Sequence, residues 1–239
     1  MYPLGIAAEA ALVTLRISLP TIWDQYRDQV DPRTCDARLD LWARKLLRDV
    51  RASVTTLGRE NVDPGESYIV VSNHQSHYDI PAAYAAFGPR LRMAAKTELF
   101  GIPFMGAAMR ASGFIELDRS NRRQALASLE RARDRLLADG TSLWIAPEGT
   151  RSRTGELGSF RKGGFHLALK AGLRILPMSI SGTLHIHAAG SRHITKGCSV
   201  SVVLGEPLDT LSYGRRRLPE LIDTTREVIA AGMGSSSEA

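Results

Sequence analysis

Beyond Gly58 the sequence alternates short apolar runs with segments of helical period, and this alternation restricts the fold more than any other feature. The apolar runs fall at 67–72, 91–95, 112–117, 142–146, 173–180 and 199–204. Between them, 80–87, 121–138 and 162–171 place apolar residues every three to four positions. Strands alternating with helices predict one mostly parallel or mixed α/β sheet with helices on its faces. In 121–138, Ala125, Leu129, Ala132 and Leu136 share a face, and Asn121 with Gln124 forms a capping pair. A chain of 239 residues, 44% of them hydrophobic, has enough apolar material for one such domain with a helical extension.

Residues 1–58 read as an amphipathic helical motif, 59–230 as the α/β domain, and 231–239, which contains the polar stretch "GMGSSSEA" (232–239), as a disordered tail. Leu4, Ala8, Ala11, Leu15 and Leu19 form a stripe that Trp23, Tyr26 and Val30 continue beyond Pro20, where a kink or division is expected. After Asp31-Pro32 a second helix sets Leu39, Trp42, Leu46, Val50 and Val54 on one face. Its other face carries Arg38, Arg44, Lys45, Arg48 and Arg51 with Asp40 and Asp49. Such a hairpin either packs on the domain or lies on an anionic membrane surface, and both can hold at once.

The net charge of +6 is unevenly spread. Residues 90–135 hold ten basic and five acidic residues, and residues 151–174 hold six basic and one acidic. Both blocks favour anionic partners such as phosphates or a lipid surface. Nucleic acid is not expected, because no aromatic residues interleave with the basic ones in a base-stacking pattern. Cys35 and Cys198 lack metal-ligand spacing and predict a reducing cytoplasm. No secretory leader is evident, and the longest spanning candidate, 4–19, is broken by Glu9 and Arg16.

The chemistry concentrates just past the predicted strand ends. In "YIVVSNHQSHYD" (68–79) an apolar run stops at Asn73-His74. On a regular helix, His74 and Asp79 would stand about 140° apart, so only an intervening turn brings them together. A histidine oriented by a carboxylate is a general base, and an ordinary pKa of about 6.5 suits it to neutral pH. Two other readings stay open: Asp79 as a helix cap, and His74, His77 and Asp79 as ligands of a metal-dependent phospholipid hydrolase, with His185 and His187 completing the site. "WIAPEGTRS" (144–152) runs a second strand into Glu148, Gly149, Thr150 and Arg151, and "FIELDRS" (114–120) ends in Arg119. An arginine fork suits phosphate oxygens, and open α/β sheets gather ligands beyond the carboxyl ends of their strands.

Taken together, "NHQSHYD", "AKTELFGIPFMG" (95–106), "GFIELDRS" (113–120), "APEGTRSRTGELGSFRKGGFHLA" (146–168) and "ILPMSISG" (175–182) resemble the PlsC-type glycerolipid acyltransferases, above all the 1-acylglycerol-3-phosphate acyltransferases, over about residues 40–210. The resemblance implies the sheet architecture of glycerol-3-phosphate acyltransferases and direct acyl transfer from acyl-coenzyme A or acyl carrier protein to the sn-2 hydroxyl of a lysophospholipid. No serine elbow, cofactor or metal is implied. It implies His74 as base and Asp79 as its orienting partner. Arg119 and Arg151 would grip the acceptor phosphate, and Glu148, Gly149 and Thr150 would shape the acceptor site. Lys96 would lie near phosphate or oxyanion, with Lys162 a lesser candidate and Pro177 structural. Other glycerolipid acceptors remain open. "LFGIPFMGAAM" (99–109) could line an acyl groove or simply fill core. The expected location is the inner face of the cell membrane, as a peripheral protein.

Overall fold

The computed structural model describes residues 3–117, 134 and 136–234. Helices α1 (Pro3–Tyr26) and α2 (Pro32–Asp49) precede the sheet. The strands are β1 (Ser53–Leu57), β2 (Tyr68–Ser72), β3 (Leu91–Lys96), β4 (Ile115–Leu117), β5 (Ser142–Ile145), β6 (Arg174–Ser181) and β7 (Ser199–Leu204). They order as β1-β7-β6-β2-β5-β3-β4. Strands β6, β2, β5, β3 and β4 run parallel, so their carboxyl ends share one edge. Strand β7 is antiparallel to β6 and parallel to β1, which makes the sheet mixed.

Central strands of such a sheet are covered on both sides and read as continuous apolar runs. Every residue of β2 is buried, and its side chains alternate between two cores. Tyr68 and Val70 join α2 and α3 (Asp79–Phe87) through Leu39, Ala43, Ala82 and Tyr84. Ile69 and Val71 join Phe165 and Leu167 of α6 (Gly163–Ala171) and Leu221 and Ile229 of the last helix, Leu218–Gly234.

Three regions depart from the sequence expectations. The end of the predicted second helix, including Val54, is instead strand β1. Its run Val54-Thr55-Thr56 is β-branched, and it pairs in register with Ser199–Val203. Pro20 does not divide the first helix, which continues to Tyr26. The last helix was not anticipated, and it carries Gly232, Met233 and Gly234, so the tail is ordered further than its composition suggests. Gly232 is needed there, because a Cβ would stand 2.4 Å from Ser179 Oγ. Of the helix expected over 121–138, most lies outside the described residues; Asp134 and residues 136–138 are helical.

Helix α1 packs against α2 and α5 (Met105–Ala111), but with its apolar stripe outward. Ile6, Ser18 and Thr21 are buried, and Thr14 accepts the Trp42 indole N–H at 3.1 Å. By contrast Leu12, Leu15, Leu19, Trp23 and Tyr26 are exposed, Tyr26 at 83%. No described helix is long and apolar enough to cross a membrane.

A buried ion pair ties α2 to the sheet. Arg92 on β3 is 4% exposed and places Nη2 2.6 Å from Asp36 Oδ1. Removing one member of such a pair leaves an unpaired buried charge. Arg92→Ala is therefore expected to cost about 3 kcal/mol of unfolding free energy. Chemical denaturation checks this, and an unchanged midpoint would show that the pair contributes nothing.

Candidate active site

The chain leaves the sheet at Asn73, which is 2% exposed and continues the strand pairing with its side chain. Its Nδ2 donates to the Ile180 carbonyl and its Oδ1 accepts the Ile180 N–H, both at 2.8 Å. This anchors the next residue, His74, at the carboxyl edge. His74 Nδ1 lies 2.7 Å from Asp79 Oδ2. A carboxylate only accepts, so Nδ1 carries the proton and Nε2 is the basic nitrogen. Among the described residues Nε2 makes no hydrogen bond. The ring meets Trp144 edge-on at 5.6 Å, and the indole N–H donates to Ser72 Oγ at 2.9 Å.

Asp79 opens α3 but faces backwards. Its Oδ2 also accepts the N–H groups of Gln75 at 2.7 Å and Ser76 at 2.9 Å, while Oδ1 accepts the Thr183 hydroxyl. The helix-cap reading is therefore incomplete: the carboxylate closes the turn that carries His74, and Tyr78 occupies the cap position.

The turn after β5 is strapped to the same loop. Glu148 Oε1 accepts the His74 backbone N–H at 2.8 Å, and Oε2 accepts the Gly158 N–H at 2.9 Å. Ser152 N–H donates to the His74 carbonyl at 2.7 Å. Gly149 has φ +78°, and a Cβ there would stand 2.8 Å from Arg161 Nε. The positive φ favours glycine, and any side chain there would displace the Arg161 guanidinium lying against it. Thr150 is exposed. Arg151 is half-buried, and its Nη1 is buried and, among the described residues, without a hydrogen-bond partner. A buried charged donor without an acceptor is costly, so the position invites an anion.

His77 stacks on His187 at 5.9 Å rather than turning toward His74 and Asp79. His77 is exposed, yet desolvation first, and the charges of Arg151, His187 and His74 after it, lower its pKa to about 4. His185 is exposed in the short helix Thr183–Ile186. Among the described residues no three His, Cys, Asp or Glu side chains converge on a metal position.

Lys96 ends β3 at the same edge of the sheet and is exposed. Arg119 lies outside the described residues. Lys162 borders a cavity of about 500 Å³ between its loop and Ile222 and Arg226 of the last helix. Pro177 sits within β6 opposite Val71. The segment 99–109 runs from the end of the short helix α4 (Thr97–Phe100) through a turn at 101–104 into α5, and Phe100 is buried while Leu99, Ile102 and Phe104 are exposed. Motif reading passed over Arg161 and Thr183, whose parts depend on contacts distant in sequence. The basic run at 161–162 was visible; for Thr183 there was no signal.

A carboxylate-oriented imidazole and, on the adjoining turn, a guanidinium with a buried nitrogen lie at the carboxyl edge of a mixed sheet, a set of groups that can accept a proton and bind an anion. The acyltransferase family profile matches residues 53–181, from the start of β1 to the end of β6, and the chain belongs to this family. It is 38% identical over 207 residues to the chloroplastic 1-acyl-sn-glycerol-3-phosphate acyltransferase LPAT1 of Arabidopsis thaliana, covering 85% of this chain and 56% of that protein. It is 33% identical over 191 residues to a 1-acyl-sn-glycerol-3-phosphate acyltransferase of Chlamydomonas reinhardtii, covering 77% of this chain and 56% of the other. The chain thus spans little more than half the length of these relatives. The crystal structure of the 1-acyl-sn-glycerophosphate acyltransferase PlsC from Thermotoga maritima superposes with a TM-score of 0.77 at 27% identity, covering 98% of both chains.

Glu148→Gln would set an amide donor against a backbone donor, costing about 1–3 kcal/mol locally. Faster hydrogen exchange at the His74 or Gly158 amide is expected, and wild-type protection of both would contradict the strap. His77 in the folded protein takes its proton only near pH 4, against 6.5 ordinarily, so the unfolded chain binds more protons between those values. Its contribution is complete above pH 6.5 and is lost as pH falls toward 4. Melting temperatures of wild type and His77→Gln across that range should diverge in slope; parallel curves would contradict it.

Proposed function

We propose that the protein transfers a fatty acyl group from acyl-coenzyme A or acyl carrier protein to the sn-2 hydroxyl of 1-acylglycerol 3-phosphate, forming phosphatidic acid. The observation that carries this reading is the His74–Asp79 pair on a loop strapped to the turn that carries Arg151, whose Nη1 is buried and, among the described residues, unpartnered. The names of the relatives point the same way.

In the reaction, His74 Nε2 takes the proton of the acceptor hydroxyl as its oxygen bonds to the thioester carbonyl carbon. Asp79 holds the Nδ1 proton and stabilises the imidazolium. Backbone N–H groups, with Lys96 at the end of β3, stabilise the oxyanion. The carbon–sulfur bond then breaks, and the departing thiolate recovers the proton from His74. Arg151 and Arg119 hold the acceptor phosphate. Glu148, Gly149 and Thr150 shape this site, Glu148 by holding the loop rather than by offering a free oxygen. The step needs no metal or redox cofactor.

An anionic membrane surface is the third partner in this reading. The outward stripe of Leu12, Leu15, Leu19, Trp23 and Tyr26 suits the acyl boundary, and the two basic blocks suit anionic head groups. This fits peripheral attachment at the inner face of the cell membrane.

A radiolabelled acyl-transfer assay tests the proposal, offering each donor with 1-acylglycerol 3-phosphate, glycerol 3-phosphate or other lysophospholipids. Phosphatidic acid should form with chelator present and vanish in His74→Ala. Arg151→Ala should raise the acceptor KM by about ten- to a hundredfold, the loss of a charged bidentate contact. Near-wild-type turnover in His74→Ala would overturn the mechanism. Chelator-sensitive release of free fatty acid would favour hydrolysis instead.

A further inference from the structure

The carboxylate that orients His74 is held from a second direction, far away in sequence. All three of its other donors reach Oδ2: His74 Nδ1 and the N–H groups of Gln75 and Ser76. Among the described residues, Oδ1 has a single partner, the hydroxyl of Thr183. Thr183 and Asp79 are both 0% exposed, so solvent does not reach this contact.

The direction of that hydroxyl proton can be derived. Gln75 Nε2 lies 2.9 Å from the Ile180 carbonyl oxygen, which can only accept, so the amide presents its NH2 group there. The same nitrogen lies 3.0 Å from Thr183 Oγ1, which therefore accepts. The one remaining proton on Thr183 points at Asp79 Oδ1. Thr183 is itself placed by its backbone. It follows Gly182, where φ is +88° and a Cβ would stand 2.1 Å from the Ser199 carbonyl oxygen. The segment beyond it clasps the same loop, since Ser76 Oγ donates to the His187 carbonyl at 2.8 Å.

We propose that Thr183 is a positioning residue for acyl transfer. Its hydroxyl, committed to donation by Gln75, locks the Asp79 carboxylate plane so that Oδ2 stays on His74 Nδ1 while the proton moves at Nε2. The terminal carboxylate torsion is intrinsically broad. With Oδ1 unheld, the group turns and the imidazole loses its fixed tautomer and aim. This inference rests on the reading of His74 as the base.

Three variants test it in the same assay. Thr183→Val keeps the shape and removes the hydroxyl, Thr183→Ser keeps the hydroxyl, and His74→Ala is the reference. Losing a hydrogen bond to a charged group should lower kcat in Thr183→Val by about ten- to a hundredfold. Both KM values should stay near wild type, and Thr183→Ser should retain most of kcat. Wild-type kcat in Thr183→Val overturns the inference. So does an equal loss in Thr183→Ser, or a change confined to KM, since either would mean a packing role. If Thr183→Val does not fold, Thr183→Ala is compared with Thr183→Ser by the same criteria. An active His74→Ala would sink the base assignment and this inference with it; an inactive His74→Ala beside a fully active Thr183→Val would sink this inference alone.

Discussion

Four hydrogen bonds converge on the buried carboxylate of Asp79, and the arrangement of the site depends on them. Burying an uncompensated carboxylate is prohibitively costly, so a fold that keeps Asp79 at 0% exposure must bring donors to it. Two come from the backbone just before it, which bends residues 74–76 into the turn that presents His74. One is His74 itself. The last is Thr183, delivered from beyond β6 on the neighbouring strand's path. Satisfying the charge and aiming the imidazole are therefore one structural event.

The parallel strands make this possible. Because β2, β5 and β6 run the same way and lie side by side, the loops that leave them start from one edge. Asn73 stitches the loop after β2 to β6, and Glu148 stitches the turn after β5 to the backbone of His74. Among the described residues, these contacts leave Arg151 Nη1 buried without a partner and His74 Nε2 without a hydrogen bond. An acceptor with a hydroxyl and a phosphate would satisfy both.

The N-terminal helices follow another logic. Helix α2 packs in the ordinary way, apolar face inward and pinned by Arg92 to Asp36. Helix α1 instead buries small and polar side chains such as Ser18 and Thr21 and leaves Leu19 and Trp23 outside. Such an inverted helix costs the folded protein apolar burial, which a lipid surface would restore.

Local sequence determined much of this. The apolar runs located six of the seven strands, although the run at 112–117 shortened to Ile115–Leu117. The run "SVTTL" reads as the end of a helix, because a short β-branched segment behind a helix keeps a compatible period, and only its pairing with β7 makes it a strand. His74, Asp79 and Arg151 stand out as candidates because they sit in short contiguous motifs at strand ends. Other features were beyond local reading: the last helix, the outward stripe of α1, the lean of Arg161 on Gly149, and the reach of Thr183 to Asp79. A motif names which groups are available within a few residues. Which face of a helix is buried, and which distant hydroxyl meets a buried charge, are set by packing between segments a hundred residues apart, and that only the tertiary structure decided.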